Sequence, residues 1–277
     1  MKYIEFKANI TPLEVGRDIL IAELSEIGFE SFVETEKGIE AYIQFLEFNQ
    51  DDIQKLKILT NKNFTIEHVI KTIADQNWNA EWEKSFNPIN VENRCYIRAL
   101  FHDKIDNIEY DIVIDPKMSF GTGHHETTFL MVKRLLNIDL KGKNVLDMGC
   151  GTGLLAILAK KKKARYVEAI DIDEWAYNNT LENIRNNNCE EIKVKMGGAE
   201  LIKKNNFNVI IANINRNILL NDMDAYTKGL IEGGDLLLSG FFSSDKDILL
   251  EASSKLGFEL SYQETKNDWT MLHLVKK

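Results

Sequence analysis

A chain of 277 residues with 44% apolar side chains is long enough for about two domains, each with a packed core. Its formal net charge of −9 argues against a nucleic-acid binder that relies on phosphate contacts, and no stretch approaches the roughly 18 uncharged apolar residues of a membrane span. Three cysteines, Cys95, Cys150 and Cys189, are an odd count without metal-ligand spacing, as expected of a reduced, cytoplasmic protein.

Residues 1–73 read as a small α+β domain. Tyr3 to Ile10 alternates as a strand and contains no signal-peptide core. Pro12 opens a helix with Leu13, Leu20, Leu24 and Ile27 among its apolar positions, and Gly28 stops it. Strands are expected over 31–35 and 39–44, a helix from 51 through 59, and a further strand over 64–73. The order β-α-β-β-α-β is ferredoxin-like, an arrangement that by itself assigns no function. Thirteen acidic and eight basic residues precede position 75, so this domain presents an acidic, solvated face. A connector, residues 74–90, carries Trp78, Trp82 and Phe86 at a spacing of four, followed by Pro88. Those aromatics fit either a packing seam or a platform for a partner.

Residues 91–277 read as a second, larger domain. Strands over 91–100 and 109–114 lead to Phe120-Gly121-Thr122-Gly123-His124-His125-Glu126-Thr127-Thr128. An amphipathic helix follows, with Thr128, Val132, Leu135 and Leu136 on one stripe, so the Thr128 hydroxyl sits where an inward face begins. His124, His125 and Glu126 are adjacent and project in different directions, and no third ligand cluster appears elsewhere, so no metal site is expected.

The most informative stretch runs from Asn144 to Asp173. A short apolar strand closes on Asp147 and breaks into Gly149, Gly151 and Gly153; a helix through Leu154, Leu155, Ile157 and Leu158 follows; and a second apolar run from Tyr166 ends on Asp171. Strand, glycine turn, helix and strand make a right-handed parallel crossover. Glycines permit sharp turns and close approach of a ligand. Asp171 ends the second strand 20 residues beyond Gly151, where a carboxylate accepts hydrogen bonds from ribose hydroxyls. A dinucleotide fingerprint would place its third glycine at position 154. Here that residue is Leu154, and the third glycine falls one place early. Strands and helices then alternate: helix 174–187, strand 192–196, strand 207–212 ending on Asn213, a helix through 230, and strands 235–239 and 269–275. Such alternation predicts a doubly wound α/β sheet, with Gly149, Asp171 and Asn213 at the carboxyl ends of three strands. Cys150, inside the glycine loop, has no base beside it in sequence and reads as a packing residue.

The segment Asp147-Met148-Gly149-Cys150-Gly151-Thr152-Gly153 resembles motif I of the class I S-adenosylmethionine-dependent methyltransferases. Together with the Phe-Gly-Thr-Gly-His segment before it, Ala212-Asn213-Ile214, and the Trp78, Trp82, Phe86 connector, it makes the chain similar over its whole length to the bacterial ribosomal protein L11 methyltransferases. The resemblance implies a class I methyltransferase fold, a seven-stranded doubly wound sheet, behind a ferredoxin-like domain for substrate recognition. It implies S-adenosyl-L-methionine as cofactor, bound by residues matching Thr128, Gly149, Asp171 and Asn213. The implied reaction is methylation of lysine ε-amines and the N-terminal α-amine of ribosomal protein L11, without a nucleic acid or a membrane. Asn213 is in addition a candidate for orienting the amine. A methyltransferase for another acceptor and a nicotinamide enzyme are the alternative classes. The absence of Asn-Pro-Pro-Tyr at 213–216 counts against a glutamine-amide acceptor, and Leu154 counts against nicotinamide.

Overall fold

The structure is a computed structural model. It describes residues 3–73, 86–115, 117 and 120–277; most of the expected connector, including Trp78 and Trp82, lies outside the described residues, as do Pro116, Met118 and Ser119. The chain divides into two compact units, Met1–Ser85 and Phe86–Lys277. No helix among the described residues is long and apolar enough to cross a membrane.

In the first unit, β1 (Tyr3–Thr11), β2 (Ser31–Thr35), β3 (Gly38–Gln44) and β4 (Thr65–Ile73) form a sheet of order β2-β3-β1-β4, with β1 antiparallel to both neighbours. Alternation places Ile4, Phe6, Ala8 and Ile10 on one buried face. Leu20 and Leu24 of α1 (Leu13–Glu26) join the same core, and Gly28, at φ +97°, ends that helix in the left-handed conformation. The helix expected over 51–59 is instead two pieces, α2 (Gln50–Gln54) and α3 (Lys57–Thr60). Leu56 and Ile58 are both buried. In one continuous helix, residues two apart point about 200° from each other, so the break at Leu56 is what lets both reach the core.

The second unit begins with β5 (Ile89–Val91), β6 (Cys95–Arg98) and β7 (Tyr110–Val113), which form their own small sheet. One strand was expected over 91–100. Glu92 and Asn93 both adopt positive φ, +54° and +53°, and fold that stretch into an antiparallel hairpin. Arg98, almost wholly buried, donates from Nε and Nη2 to both carboxylate oxygens of Asp111 at 2.8 and 2.9 Å and from Nη1 to the His102 carbonyl at 3.1 Å.

Then follow α4 (Glu126–Leu136), β8 (Asn144–Met148), α5 (Leu154–Lys161), β9 (Tyr166–Asp171), α6 (Glu174–Asn186), β10 (Lys193–Met196), β11 (Phe207–Asn213), α7 (Arg216–Gly229), β12 (Leu230–Phe242), α8 (Lys246–Lys255), β13 (Phe258–Lys266) and β14 (Trp269–Lys276). Among the described residues the large sheet has seven strands in the order β10-β9-β8-β11-β12-β14-β13; β14 is antiparallel to its neighbours and the others are parallel. Both faces are covered. Val145, Val209 and Ile211 face the core beneath α4 and α5, whereas Leu146, Ile210 and Ala212 face the core that holds Leu219, Met223 and Tyr226 of α7. β12 is longer than the expected 235–239, because its register shifts around Gly233, at φ +72°, and pairing continues. β9 and β11 flank β8 on opposite sides, which opens a crevice at the carboxyl ends of these strands.

Replacing Asp111 by alanine would leave the buried Arg98 guanidinium unpaired. The expected loss is about 3 kcal/mol of unfolding free energy, read from a denaturant titration. An unchanged transition midpoint would show that the pair contributes nothing.

Candidate active site

The crevice holds a cavity of about 710 Å³, lined in part by Gly149, Gly151, Asp171 and Asn213. Between β8 and α5 the chain turns through Gly149, Gly151 and Gly153, with φ of +69°, +56° and +79°. A Cβ at Gly149 would lie 2.2 Å from the Ile214 side chain, and one at Gly151 would lie 2.2 Å from the Phe120 carbonyl oxygen. The space those glycines leave is therefore occupied by protein. They allow the loops carrying Phe120 and Ile214 to close on the turn.

Asp171 closes β9 and ties the second motif to the first. Its Oδ2 accepts from the Gly151 N–H at 2.9 Å and its Oδ1 from the Asp173 N–H at 3.0 Å. Each oxygen keeps a lone pair for a ligand. Asp173 caps α6 by accepting from Trp175 and Ala176 N–H at 2.7 and 3.2 Å. On the other side of β8, Asn213 ends β11, and its Nδ2 donates to Thr128 Oγ1 at 3.2 Å. The Asn213 Oδ1 is buried and has no hydrogen-bond partner among the described residues. Asn213 lines the cavity as a residue, but this oxygen is itself shut off from solvent. Thr128 itself does not line the cavity. It lies fully buried behind Asn213, and its neighbour Thr127 lines the wall. The helix cap is His125, whose Nδ1 accepts from the Thr127 N–H.

Several lining residues were not anticipated from sequence. His125 sits between Phe120 and Trp269, at ring-centroid distances of 5.1 and 4.6 Å, and Trp269 packs on Phe242 at 4.1 Å. An aromatic wall results, and Trp269 enters it from the antiparallel β14, far away in sequence. Ile172 is 81% exposed at the strand end. An apolar residue between Asp171 and Asp173 was the one visible sign of it. His124 turns the other way, with Nε2 2.8 Å from the Asn87 carbonyl.

The charge on the wall has one sign. Asp171, Asp173, Glu200 and Asp222 line the cavity, and among the described residues no lysine or arginine joins them. Beneath the glycine turn, Asp147 is fully buried, accepts from the Ala156 N–H at 3.0 Å, and is pushed up to about pKa 7 by burial, with the Asp171 charge adding to the effect. Burial also pushes the Cys150 thiol well up, and its Sγ lies 3.3 Å from Thr180 Oγ1. Cys150 is thus held as a thiol, consistent with packing.

The family model described as ribosomal protein L11 methyltransferase (PrmA) matches residues 8–277. A protein of that name from Phocaeicola vulgatus is 45% identical over 281 residues, covering 100% of both chains. Another from Porphyromonas gingivalis is 47% identical, covering 99% of this chain and 98% of its own. The crystal structure of a ribosomal protein L11 methylase from Lactobacillus delbrueckii subsp. bulgaricus is similar with a TM-score of 0.65 and 27% identity, covering 69% of this chain and 100% of that one.

The raised Asp147 pKa has a measurable consequence. An unfolded aspartate titrates near 3.9, so the folded state holds this proton more tightly. Its contribution to stability is present at low pH and is lost as pH rises from about 4 through about 7. Asp147→Asn keeps an acceptor for Ala156 and stays neutral, so its Tm should rise relative to wild type between pH 5 and pH 8. A Tm difference that does not change with pH would show that Asp147 is ionised throughout.

Proposed function

This chain belongs to the ribosomal protein L11 methyltransferase family, and we propose that it methylates the lysine ε-amines and the N-terminal α-amine of ribosomal protein L11. A protein with that substrate works in the cytoplasm. The observation that carries the reading is the convergence, on one cavity, of Asp171, the glycine turn and Asn213, from the ends of three neighbouring strands.

The residues fit S-adenosylmethionine. Asp171, already oriented by Gly151 and Asp173, is the acceptor for ribose hydroxyls. Gly149 brings backbone to the ligand, and Ile172 offers apolar surface beside the ribose position. Thr128 acts through Asn213, whose amide nitrogen its hydroxyl holds. Four carboxylates in the wall, with no basic residue beside them among the described residues, favour a ligand bearing a sulfonium.

When bound, the cofactor supplies a methyl group on a positively charged sulfur, open to in-line displacement by a neutral amine. The chain's part is to bind, aim and dry the reactants. Asn213, in the cavity wall, orients the incoming amine. The carboxylates draw the lysine ammonium in. A free lysine titrates near 10.4, so the proton must leave before attack. No residue is assigned as general base, and solvent takes that proton. Phe120, His125 and Trp269 close the acceptor side against water. Residues 1–73, the ferredoxin-like unit, are assigned to recognition of the protein substrate.

Incubation with S-adenosylmethionine and ribosomal protein L11, followed by mass spectrometry, should reveal added methyl groups on amines; an unmodified L11 would refute the assignment. Asp171→Ala should weaken S-adenosylmethionine binding by about 1.5–3 kcal/mol, as for hydrogen bonds to a charged group. Unchanged affinity in the folded variant would remove Asp171 from the ribose site. A chain beginning at residue 86 should bind S-adenosylmethionine and fail to methylate intact L11. Full activity without the first unit would give that unit a different role.

A further inference from the structure

One face of α6 carries Thr180, Asn183 and Asn187, three and four residues apart and each buried. Asparagine is a poor helix former, so a row of buried asparagines on a helix needs a reason. Every one of these side chains is engaged with backbone outside its helix. Thr180 Oγ1 donates to the Gly151 carbonyl at 2.8 Å. Asn187 both accepts from the Val113 N–H at 2.9 Å and donates to the Val113 carbonyl at 2.6 Å. Asn183 does something different from either. Its Nδ2 donates to the Thr152 carbonyl at 2.9 Å, in the glycine turn, and its Oδ1 accepts from the Asp115 N–H at 2.8 Å, in the segment that leaves β7.

The glycine turn lines the cavity, and Asp115 stands two residues past the end of β7. Thr152 continues the link: its N–H donates to the Phe120 carbonyl at 3.0 Å and its Oγ1 to the Gly121 carbonyl at 2.7 Å. Phe120 and Gly151 both line the cavity, whereas Asn183 is fully buried and does not touch it. We infer that Asn183 is a positioning residue for the cofactor, a single amide that ties the glycine turn at Thr152 to the backbone at Asp115. The amide is suited to this because it offers a donor and an acceptor to opposite sides at once. The inference rests on the assignment of S-adenosylmethionine to this cavity.

Asn183→Asp keeps the acceptor for Asp115 but sets a second oxygen against the Thr152 carbonyl and against Asn179 Oδ1, which now accepts from Asn183 Nδ2 at 3.0 Å. Its Kd for S-adenosylmethionine and for S-adenosylhomocysteine, measured by calorimetry, should rise about tenfold or more, in line with losing one buried hydrogen bond and leaving its acceptor open. Because the wall shapes ground-state binding, KM for the cofactor should rise alike, while kcat at saturating cofactor and KM for the protein substrate stay near wild type. Asn187→Ala removes side-chain bonds to Val113 and to the Asn183 carbonyl but none to the glycine turn. It should lower Tm and leave the cofactor Kd unchanged. Thr152→Val, which loses only the hydroxyl bond to Gly121 and preserves shape, should raise Kd in the same direction by a smaller factor. Wild-type affinity in folded Asn183→Asp would overturn the inference, as would an equal loss in Asn187→Ala, which would indicate general loosening. If Asn183→Asp does not fold, unchanged affinity in Thr152→Val overturns it. Wild-type protein that binds no S-adenosylmethionine would instead overturn the cofactor assignment beneath it.

Discussion

The Asp171 carboxylate holds the backbone N–H of Gly151 on one oxygen and that of Asp173 on the other, and the cavity depends on that arrangement. A charged acceptor with two backbone donors stays put, because each bond is charge-assisted and partly buried. The group proposed to face the ligand is thereby the group that joins the end of β9 to the turn after β8. Neither feature is built separately. The parallel pairing of β8 with β9 brings Asp147 opposite Ala169 and Met148 opposite Ile170, so the turn and the carboxylate emerge side by side.

Around this joint the wall is electronegative, and the neighbourhood accommodates that charge in distinct ways. Asp171 is stabilised by backbone donors. Asp173 spends its charge on the N-terminus of α6, where the helix dipole favours an anion. Asp147, fully buried and near the Asp171 charge, has its pKa pushed up to about 7. Three aspartates within one crossover thus differ in role because their surroundings differ. The resulting field suits a cationic methyl donor and attracts a protonated lysine, although the same field opposes the deprotonation that attack requires. A catalyst that depends on positioning and exclusion of water is consistent with that balance.

Close packing explains why the turn has so little freedom in composition. Gly149 and Gly151 face Ile214 and the Phe120 carbonyl at distances that no Cβ tolerates. Three different loops, those at 120–121, 149–153 and 213–215, therefore meet closely, the Ile214 side chain packing on Gly149 and the Thr152 hydroxyl reaching the Gly121 carbonyl. Their backbone polar groups pair with one another and with the polar face of α6.

The sequence by itself determined the second unit's architecture and the kind of site it carries. Periodicity switching between two and 3.6 marks β8, α5 and β9, and the glycine spacing with Leu154 at the fourth position separates this turn from a dinucleotide loop. These are local signals, since each depends on residues within one turn or one crossover. Where two burial demands competed inside a short window, local reading failed. Leu56 and Ile58 split one expected helix, and Glu92 and Asn93 folded one expected strand into a hairpin. Only the tertiary structure decided which distant residues would meet. The aromatic wall needs β14 to run antiparallel beside β12 so that Trp269 reaches His125. The Asn213 amide is held by Thr128, a residue of another element 85 positions away. The grip of Asn183 on two segments likewise follows from how α6 packs. Pairings of this kind are set by the packing of whole elements, and no spacing within the chain records them.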